Sequence, residues 1–177
     1  IEVVESSHPV PDAAGVAAAA KILRRVTDLG VGETVVCLFS GGGSALLCLP
    51  IAGVTLTEKQ RITEQLLQSG AAIHEINCVR KKLSAIKGGK LAAACAPAAV
   101  VTLLISDVPG NDVSMVASGP TLADTSTPSE ALEILDRYQI AVSAGARSAI
   151  EDGQPVQLDD PQVRILATSD DALLAAA

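Results

Sequence analysis

Three short segments pair glycine with groups that bind anions. The first, Ser40-Gly41-Gly42-Gly43-Ser44, follows the apolar run Val35-Val36-Cys37-Leu38-Phe39 and leads into Ala45-Leu46-Leu47, which can start a helix. Consecutive glycines reach backbone angles closed to other residues and let main-chain N–H groups approach a ligand. At the carboxyl end of a parallel strand, such a turn suits a phosphate or a carboxylate. The second segment, Lys87-Gly88-Gly89-Lys90, sets an ammonium beside two glycines, so side chain and backbone can meet one phosphate. The third, Ala117-Ser118-Gly119-Pro120-Thr121, adds Ser118 and Gly119 to the phosphate-binding candidates.

The first turn fits none of three familiar templates. It lacks the G-x-x-x-x-G-K-[ST] of a P-loop and the last glycine of G-x-G-x-x-G. Gly42-Gly43-Ser44-Ala45-Leu46 also lacks the last glycine of G-x-S-x-G. A ligand-free strand-to-helix turn is the plainer reading, but three glycines exceed what such a turn needs, which favours an anion site.

Other groups could complete such a site. Asp107 and Asp112 follow a strand-like run, where carboxylates suit a Mg²⁺ that bridges nucleotide phosphates. Turn formation around Pro109-Gly110 competes with that role for Asn111 and Asp112. Arg80, Lys81, Lys82, Lys87 and Lys90 crowd one helix and its glycine break. Lys81 and Lys82 read as a solvated basic face. His8 stands before two prolines in the stiff turn His8-Pro9-Val10-Pro11-Asp12, where it can orient a hydroxyl, act as a base, or simply cap. His74 reads as a core residue on an apolar helix face. Two histidines and four scattered cysteines do not make a zinc site.

These groups need a frame. Ile1 to Val4 reads as a short strand. Asp12 can cap a helix carrying Val16, Ala19, Leu23 and Val26 and ending at Gly30. Thr34 to Phe39 has the near-continuous apolarity of a strand covered on both sides. Thr57 to Gln60 fits a capping box opening a helix through Ile62 and Leu66. A further helix starts at Asn77, and Gly88-Gly89 breaks it before Lys90 to Cys95. Val100 to Ile105 and Val163 to Ala167 read as strands. Thr127 to Glu130 is a second capping box with Pro at the first helical position. The expected fold is α/β, a mostly parallel Rossmann-like sheet with helices on both faces. Its ligand-facing strand ends would be Ser40-Gly41, Ser106-Asp107 and Thr168-Ser169. The patternless connection from Ser106 to Ser126 is long enough to suggest function.

Composition narrows the classes. Of 177 residues, 49% are hydrophobic but only 1% aromatic, so the core is built from small aliphatic side chains. The net charge of -7, with no basic tract, argues against nucleic acid. Cys37, Cys48, Cys78 and Cys95 form no C-x-x-C pair and read as buried thiols of a reducing cytoplasm. No apolar run reaches membrane-span length. The chain opens without Met in a strand-like run and stops in a helix-like one, which reads as an internal piece of a longer protein.

Five blocks in one order resemble the glycerate 2-kinases of the MOFRL-containing type, which often carry the name hydroxypyruvate reductase. They are His8-Pro9-Val10-Pro11-Asp12; Ser40 to Leu46; Ile73-His74-Glu75-Ile76-Asn77 with Val79-Arg80-Lys81; Ile86 to Leu91; and Ser106-Asp107-Val108-Pro109-Gly110 with Ala117 to Thr121. The resemblance implies ATP-dependent phosphorylation of D-glycerate at the 2-hydroxyl, with Mg²⁺, in a cleft between a Rossmann-like domain and a smaller C-terminal domain. Residues 1–177 would be an incomplete Rossmann-like domain. The family's catalytic lysine segment and C-terminal domain would lie elsewhere, and this piece alone would be inactive. Asp107, Arg80 and His8 become catalytic candidates. Ser40, Gly41, Gly42, Gly43, Ser44, Lys87, Gly88, Gly89, Ser118 and Gly119 would bind phosphate or substrate, and Asp107 with Asp112 would hold the metal. The implied partners are glycerate and nucleotide, without nucleic acid or membrane, and a homo-oligomer stays open. Rival readings are an NAD(P)H-dependent hydroxypyruvate reductase, a non-catalytic anion-binding module and, most distantly, a hydrolase using Ser44.

Overall fold

A computed structural model describes residues 1–108, 110, 112–158 and 161–176. The turn read around Pro109 and Asn111 lies outside the described residues. Three strands, β1 (Thr34–Phe39), β2 (Ala99–Ser106) and β3 (Gln162–Thr168), form a parallel sheet in the order β1-β2-β3. Cys37 pairs with Thr102, which pairs with Val163, and the β2–β3 register shifts between Leu104 and Ile105. The α/β class follows from the long crossovers that parallel strands require.

Local chemistry sets the helices. Helix α1 (Ala13–Val26) is capped by Asp12, which accepts from the Gly15 N–H at 2.9 Å. It stops at Thr27, before Gly30, where the Thr27 hydroxyl donates to the Arg24 carbonyl. The first crossover carries α2 (Gly43–Leu46), α3 (Leu56–Gln68), α4 (Ile73–Lys82) and α5 (Lys90–Cys95). Thr55 caps α3, not Thr57, because its hydroxyl accepts from the Glu58 N–H. Helix α4 begins one turn before the expected Asn77. Its cap residue is Ala72, which has no side-chain oxygen, and Glu75 instead accepts the Ala72 N–H at 2.9 Å. The second crossover carries α6 (Pro128–Arg137), with the expected Thr127–Glu130 box, and α7 (Ala144–Glu151), which the sequence reading passed over. Helix α8 (Ser169–Ala176) follows β3. Ile1–Val4 carries no strand pairing.

The apolar residues divide into two bodies. Ile62, Leu66, Ile76, Val79, Leu135 and Ile150 anchor a helical core among α3, α4, α6 and α7. Ala19, Cys37, Ile86, Leu91 and Cys95 anchor a smaller one where α1 and α5 cover the sheet. On β1, Cys37 packs inward while Val36 and Leu38 are 58% and 71% exposed. An unbroken apolar run hides this alternation from sequence reading.

The long connection after β2 is not a surface loop throughout. Val116–Thr121 is buried and starts with a 3₁₀ turn over Val116–Ser118. Ala117 and Ser118 have φ of +51° and +59°. Left-handed geometry at residues bearing a Cβ costs about 1–2 kcal/mol each, so tertiary packing must hold it there.

Candidate functional site

The glycine turn sits at the carboxyl edge of β1, against the side chains of Asp107 and His8. A Cβ on Gly41 would overlap the Asp107 carboxylate at the end of β2. Gly42, with φ of +78°, faces the His8 ring, which lies 3.5 Å from where its Cβ would stand. Gly43 lies against Ala117 of the strained turn, and its N–H donates to the Ser40 carbonyl at 3.4 Å. Among the described residues, no acceptor meets the N–H of Gly41 or Gly42. Ser40 thus closes the turn, while Gly41 and Gly42 offer amides.

Beside the turn lies a cavity of about 190 Å³, lined by His8, Gly42, Ser44, Lys59, Arg80 and Lys87 among others. Among the described residues, three basic side chains line it and no carboxylate does. Lys87 is 1% exposed and donates to the Ala117 carbonyl at 2.9 Å. Burial, with Lys59 and Arg80 adding repulsion, pulls its pKa down to about 7. Lys59, 4% exposed, donates to the Leu83 carbonyl at 2.7 Å and the Arg80 carbonyl at 3.4 Å, at the C-terminus of α4. Burial brings its pKa to about 8. Arg80 is lowered by burial as well. None of the three ion-pairs with a carboxylate among the described residues.

The buried loop supports this pocket from behind. The Ser118 hydroxyl donates to Asn77 Oδ1 at 2.9 Å and lies 2.7 Å from Ser44 Oγ. The Gly88 and Gly89 N–H groups donate to the Ser118 and Gly119 carbonyls at 3.2 and 2.9 Å. Lys90 donates to the Lys81 and Ser84 carbonyls. Gly119, at φ of +57°, is packed against the Ser114 carbonyl. The structure therefore brings His8, Gly42, Ser44, Arg80 and Lys87 to one cavity, with Asp107 over Gly41. It places Gly88, Gly89, Ser118 and Gly119 in the supporting layer, with their amides or hydroxyls already engaged.

A second cleft, of about 410 Å³, runs beside α4 and α6 and is lined by His74, Glu75, Asp112, Asp124, Glu133 and Arg137 among others. His74 is exposed there, not in the core, because the helical core takes the Ile76 and Val79 side of α4. Lys81 and Lys82 are not a solvated face either. Both reach buried Asp124, at 3.6 and 2.8 Å. Burial opposes ionisation of Asp124, yet the bonds from Lys82 and Ser126 and the Lys81 charge hold its pKa below the usual carboxylate value. Asp112 accepts from the Ser114 N–H at 2.9 Å, as an Asx-type turn does. It lines this second cleft and not the cationic cavity.

Mg²⁺ keeps several waters and commonly takes one or two carboxylates plus substrate phosphates. Among the described residues, no group of three or more His, Cys, Asp or Glu could hold a metal. Asp107, at the end of β2 and against Gly41, would suit a single-carboxylate site completed by phosphate oxygens. All four cysteines are free and buried, as expected. Sequence reading missed Lys59, although its place three residues before Ile62 and seven before Leu66 puts it on the buried stripe of α3.

A parallel sheet with a glycine turn and buried lysines at its carboxyl edge defines an α/β protein of the class whose ligands sit beyond the carboxyl ends of the strands. A family model, the domain of unknown function DUF4147, matches residues 1–151, and the chain belongs to that family. It is 48% identical over 180 residues to an Agrobacterium vitis protein named as a hydroxypyruvate reductase, covering 100% of this chain and 47% of that protein. It is 43% identical over 165 residues to the D-glycerate 2-kinase of Thermotoga maritima, covering 93% of this chain and 40% of the kinase. The crystal structure of the Thermotoga maritima glycerate kinase superposes with a TM-score of 0.92 at 41% identity, covering 97% of this chain and 42% of that one. The chain thus spans less than half the length of these relatives.

Proposed function

We propose that this chain forms one wall of the active site of a glycerate 2-kinase, which transfers the γ-phosphoryl group of ATP to the 2-hydroxyl of D-glycerate. The observation that carries the reading is the convergence of Gly42 and Ser44 of the glycine turn, His8, Arg80 and Lys87 on one cavity lined by no carboxylate among the described residues, in a chain so similar to glycerate kinases. Phosphoryl transfer rests on positioning and charge neutralisation, and these groups supply both. The amides of Gly41 and Gly42 and the charges of Arg80 and Lys87 would hold phosphate or carboxylate oxygens. His8 would orient the attacking hydroxyl. Asp107 would hold Mg²⁺, which supplies charge neutralisation at the phosphate oxygens when bound. The remaining groups of the site, including any catalytic lysine and a second domain, would come from elsewhere in the full-length protein, so residues 1–177 alone would be inactive.

The name of the Agrobacterium vitis relatives favours a second reading, reduction of hydroxypyruvate by NAD(P)H. The absence of G-x-G-x-x-G at the β1 turn speaks against it. The four buried thiols fit a reducing cytoplasm, and no helix among the described residues is long and apolar enough to cross a membrane. The deciding experiment measures, in full-length protein, ATP consumption with D-glycerate against NAD(P)H oxidation with hydroxypyruvate. ATP-dependent formation of 2-phosphoglycerate is the expected result. Hydride transfer without ATP turnover would overturn the kinase, and ligand binding without either turnover would leave an anion-binding module.

A further inference from the structure

The sheet has one covered face and one bare face. Helices α1 and α5 pack against Val35, Cys37, Phe39 and Val100 on the covered side. Alternate residues of each strand point the other way. There Val36 stands beside Val101 and Leu38 beside Leu103, and Ile105 extends the row along β2. Val36, Leu38 and Ile105 are 58%, 71% and 50% exposed. Gln162 and Arg164, next to Val101 and Leu103 on β3, give this apolar patch a polar rim. A contiguous apolar patch with a polar rim marks a surface that another element covers. The order of the strands explains why residues 1–177 leave it open. β1, β2 and β3 step across the sheet in one direction. Right-handed crossovers that step the same way place their connecting helices on one face, and α5 lies on that face. Covering the second face takes chain that steps the opposite way, and no connection among the described residues does so.

We propose that the face formed by Val36, Leu38, Leu103 and Ile105 is covered, in the full-length protein, by amphipathic helix from the part of the same polypeptide outside residues 1–177, and that this layer is permanent and does not open when ligands bind. Parallel sheets are covered on both faces, and the cover comes from the crossover helices of their own chain. There is chain enough to supply it: residues 1–177 span 47% of the Agrobacterium vitis relative and 42% of the Thermotoga maritima kinase structure. A second copy would have to compete with that chain, which is tethered beside the sheet at high effective concentration. Permanence follows from chemistry. Obligate interfaces are apolar like a domain core, whereas domain interfaces that open are more polar. The bare face is of the first kind. The carboxyl edge, with His8, Lys59, Arg80 and Lys87 around its cavity, is of the second. The proposal does not rest on the kinase reading, which turnover judges by itself.

The test places the photo-cross-linking residue p-benzoylphenylalanine at Leu38 or at Ile105 of purified full-length protein, and mass spectrometry identifies the peptide joined to it. The expected product has the mass of a monomer and joins position 38 or 105 to a peptide from outside residues 1–177. Its yield should change less than about twofold when D-glycerate, or a non-hydrolysable ATP analogue with Mg²⁺, is added. A product of twice the mass seats a second copy on the face and overturns the proposal. So does a cross-link to a peptide within residues 1–177, or none at either position. A yield that changes several-fold with ligand overturns the permanence of the layer. Smaller substitutions guard against the bulk of the probe. Leu38→Ala and Ile105→Ala should each lower the Tm of the full-length protein by roughly 5 °C or more, as truncations of covered aliphatic residues do. Val31→Ala, at an 88% exposed position, should change it by about a degree at most. Equally small shifts at all three positions overturn the covered face. ATP-dependent turnover without a cross-link keeps the kinase reading and removes this proposal, and a cross-link within the monomer without turnover does the reverse.

Discussion

Two pairs of lysines whose side chains are largely withdrawn from water have opposite surroundings. Lys81 and Lys82 converge on one carboxylate, Asp124, which Ser126 also satisfies through its N–H and its hydroxyl. Among the described residues, Lys59 and Lys87 donate only to carbonyls, with Arg80 beside them. The first pair completes its charge within the chain and ties α4 to the start of the α6 cap. The second leaves its charge unbalanced at the edge of the glycine turn. A paired buried ion is a structural tie, whereas an unbalanced one is a place for a charged ligand. The contrast predicts that cutting the first pair harms folding and that cutting the second harms ligand binding.

The largest effect should come from Asp124→Ala. It strands two nearly buried ammonium groups, and removing one partner of a buried pair costs about 3–5 kcal/mol. Thermal denaturation should show a Tm lower by many degrees, and a change of only a degree or two would show that the tie is ornamental. Next comes Lys87→Met. On the proposed kinase reading, it should lower kcat/KM of the full-length protein for D-glycerate by about a hundredfold or more, in the range that loss of one well-placed charged donor produces. Its Tm should hold or rise, because an apolar side chain replaces a buried charge. A parallel loss of Tm and activity would erase the distinction between the two pairs.

A smaller effect is expected for Gly41→Ala, whose new methyl group must displace the Asp107 carboxylate. The concentration of Mg²⁺ giving half-maximal activity should rise about tenfold with little change in Tm, in line with disturbed support of a metal ligand. An unchanged Mg²⁺ dependence would remove Asp107 from metal binding. The smallest effect is on pH dependence. Lys59 and Lys87 titrate lower in the folded chain than in the unfolded one, so between about pH 7 and 8.5 the unfolded state binds more protons. Stability should therefore rise with pH across that window, by at most about 1.4 kcal/mol per pH unit for each lysine. Above that window the buried thiols act the other way, since burial raises Cys37 to about 11. Urea denaturation at several pH values should show the rise in the wild type and a flatter profile in Lys87→Met.

Much of this frame was legible in the sequence, for definable reasons. Strands announced themselves by apolar runs, and Thr127–Glu130 announced its helix because its cap oxygen and its N3 carboxylate are both present. Ala72 gives no such signal, so the sequence places the start of α4 a turn late. The glycine turn and Asp107 could be placed at one sheet edge because strands alternating with helices imply a parallel sheet. Lysine partners could not. Whether Lys81 is solvated or Lys87 is buried depends on which loop returns across the helix. That loop, Val116–Thr121, has no periodicity to betray its burial. Lys59 was visible on its apolar stripe, but a charged residue there reads as an exception until three-dimensional neighbours are known.

The contact between Ser44 and Ser118 also fixes a direction. A hydroxyl owns one hydrogen. Ser118 commits its own to Asn77 Oδ1, while the Asn77 amide donates to Met115 Sδ at 3.3 Å. The hydrogen between the two serines must therefore belong to Ser44. What Ser44 turns toward the cavity is then a pair of lone pairs. Its side chain can then accept from an alcohol O–H or a lysine ammonium but has no hydrogen for a phosphate oxygen, so Ser44 is not the phosphate donor expected from the sequence, and in that turn anion binding falls to the backbone amides. One asparagine, 33 residues further along the chain, thereby sets the polarity of a serine at the mouth of the glycine turn.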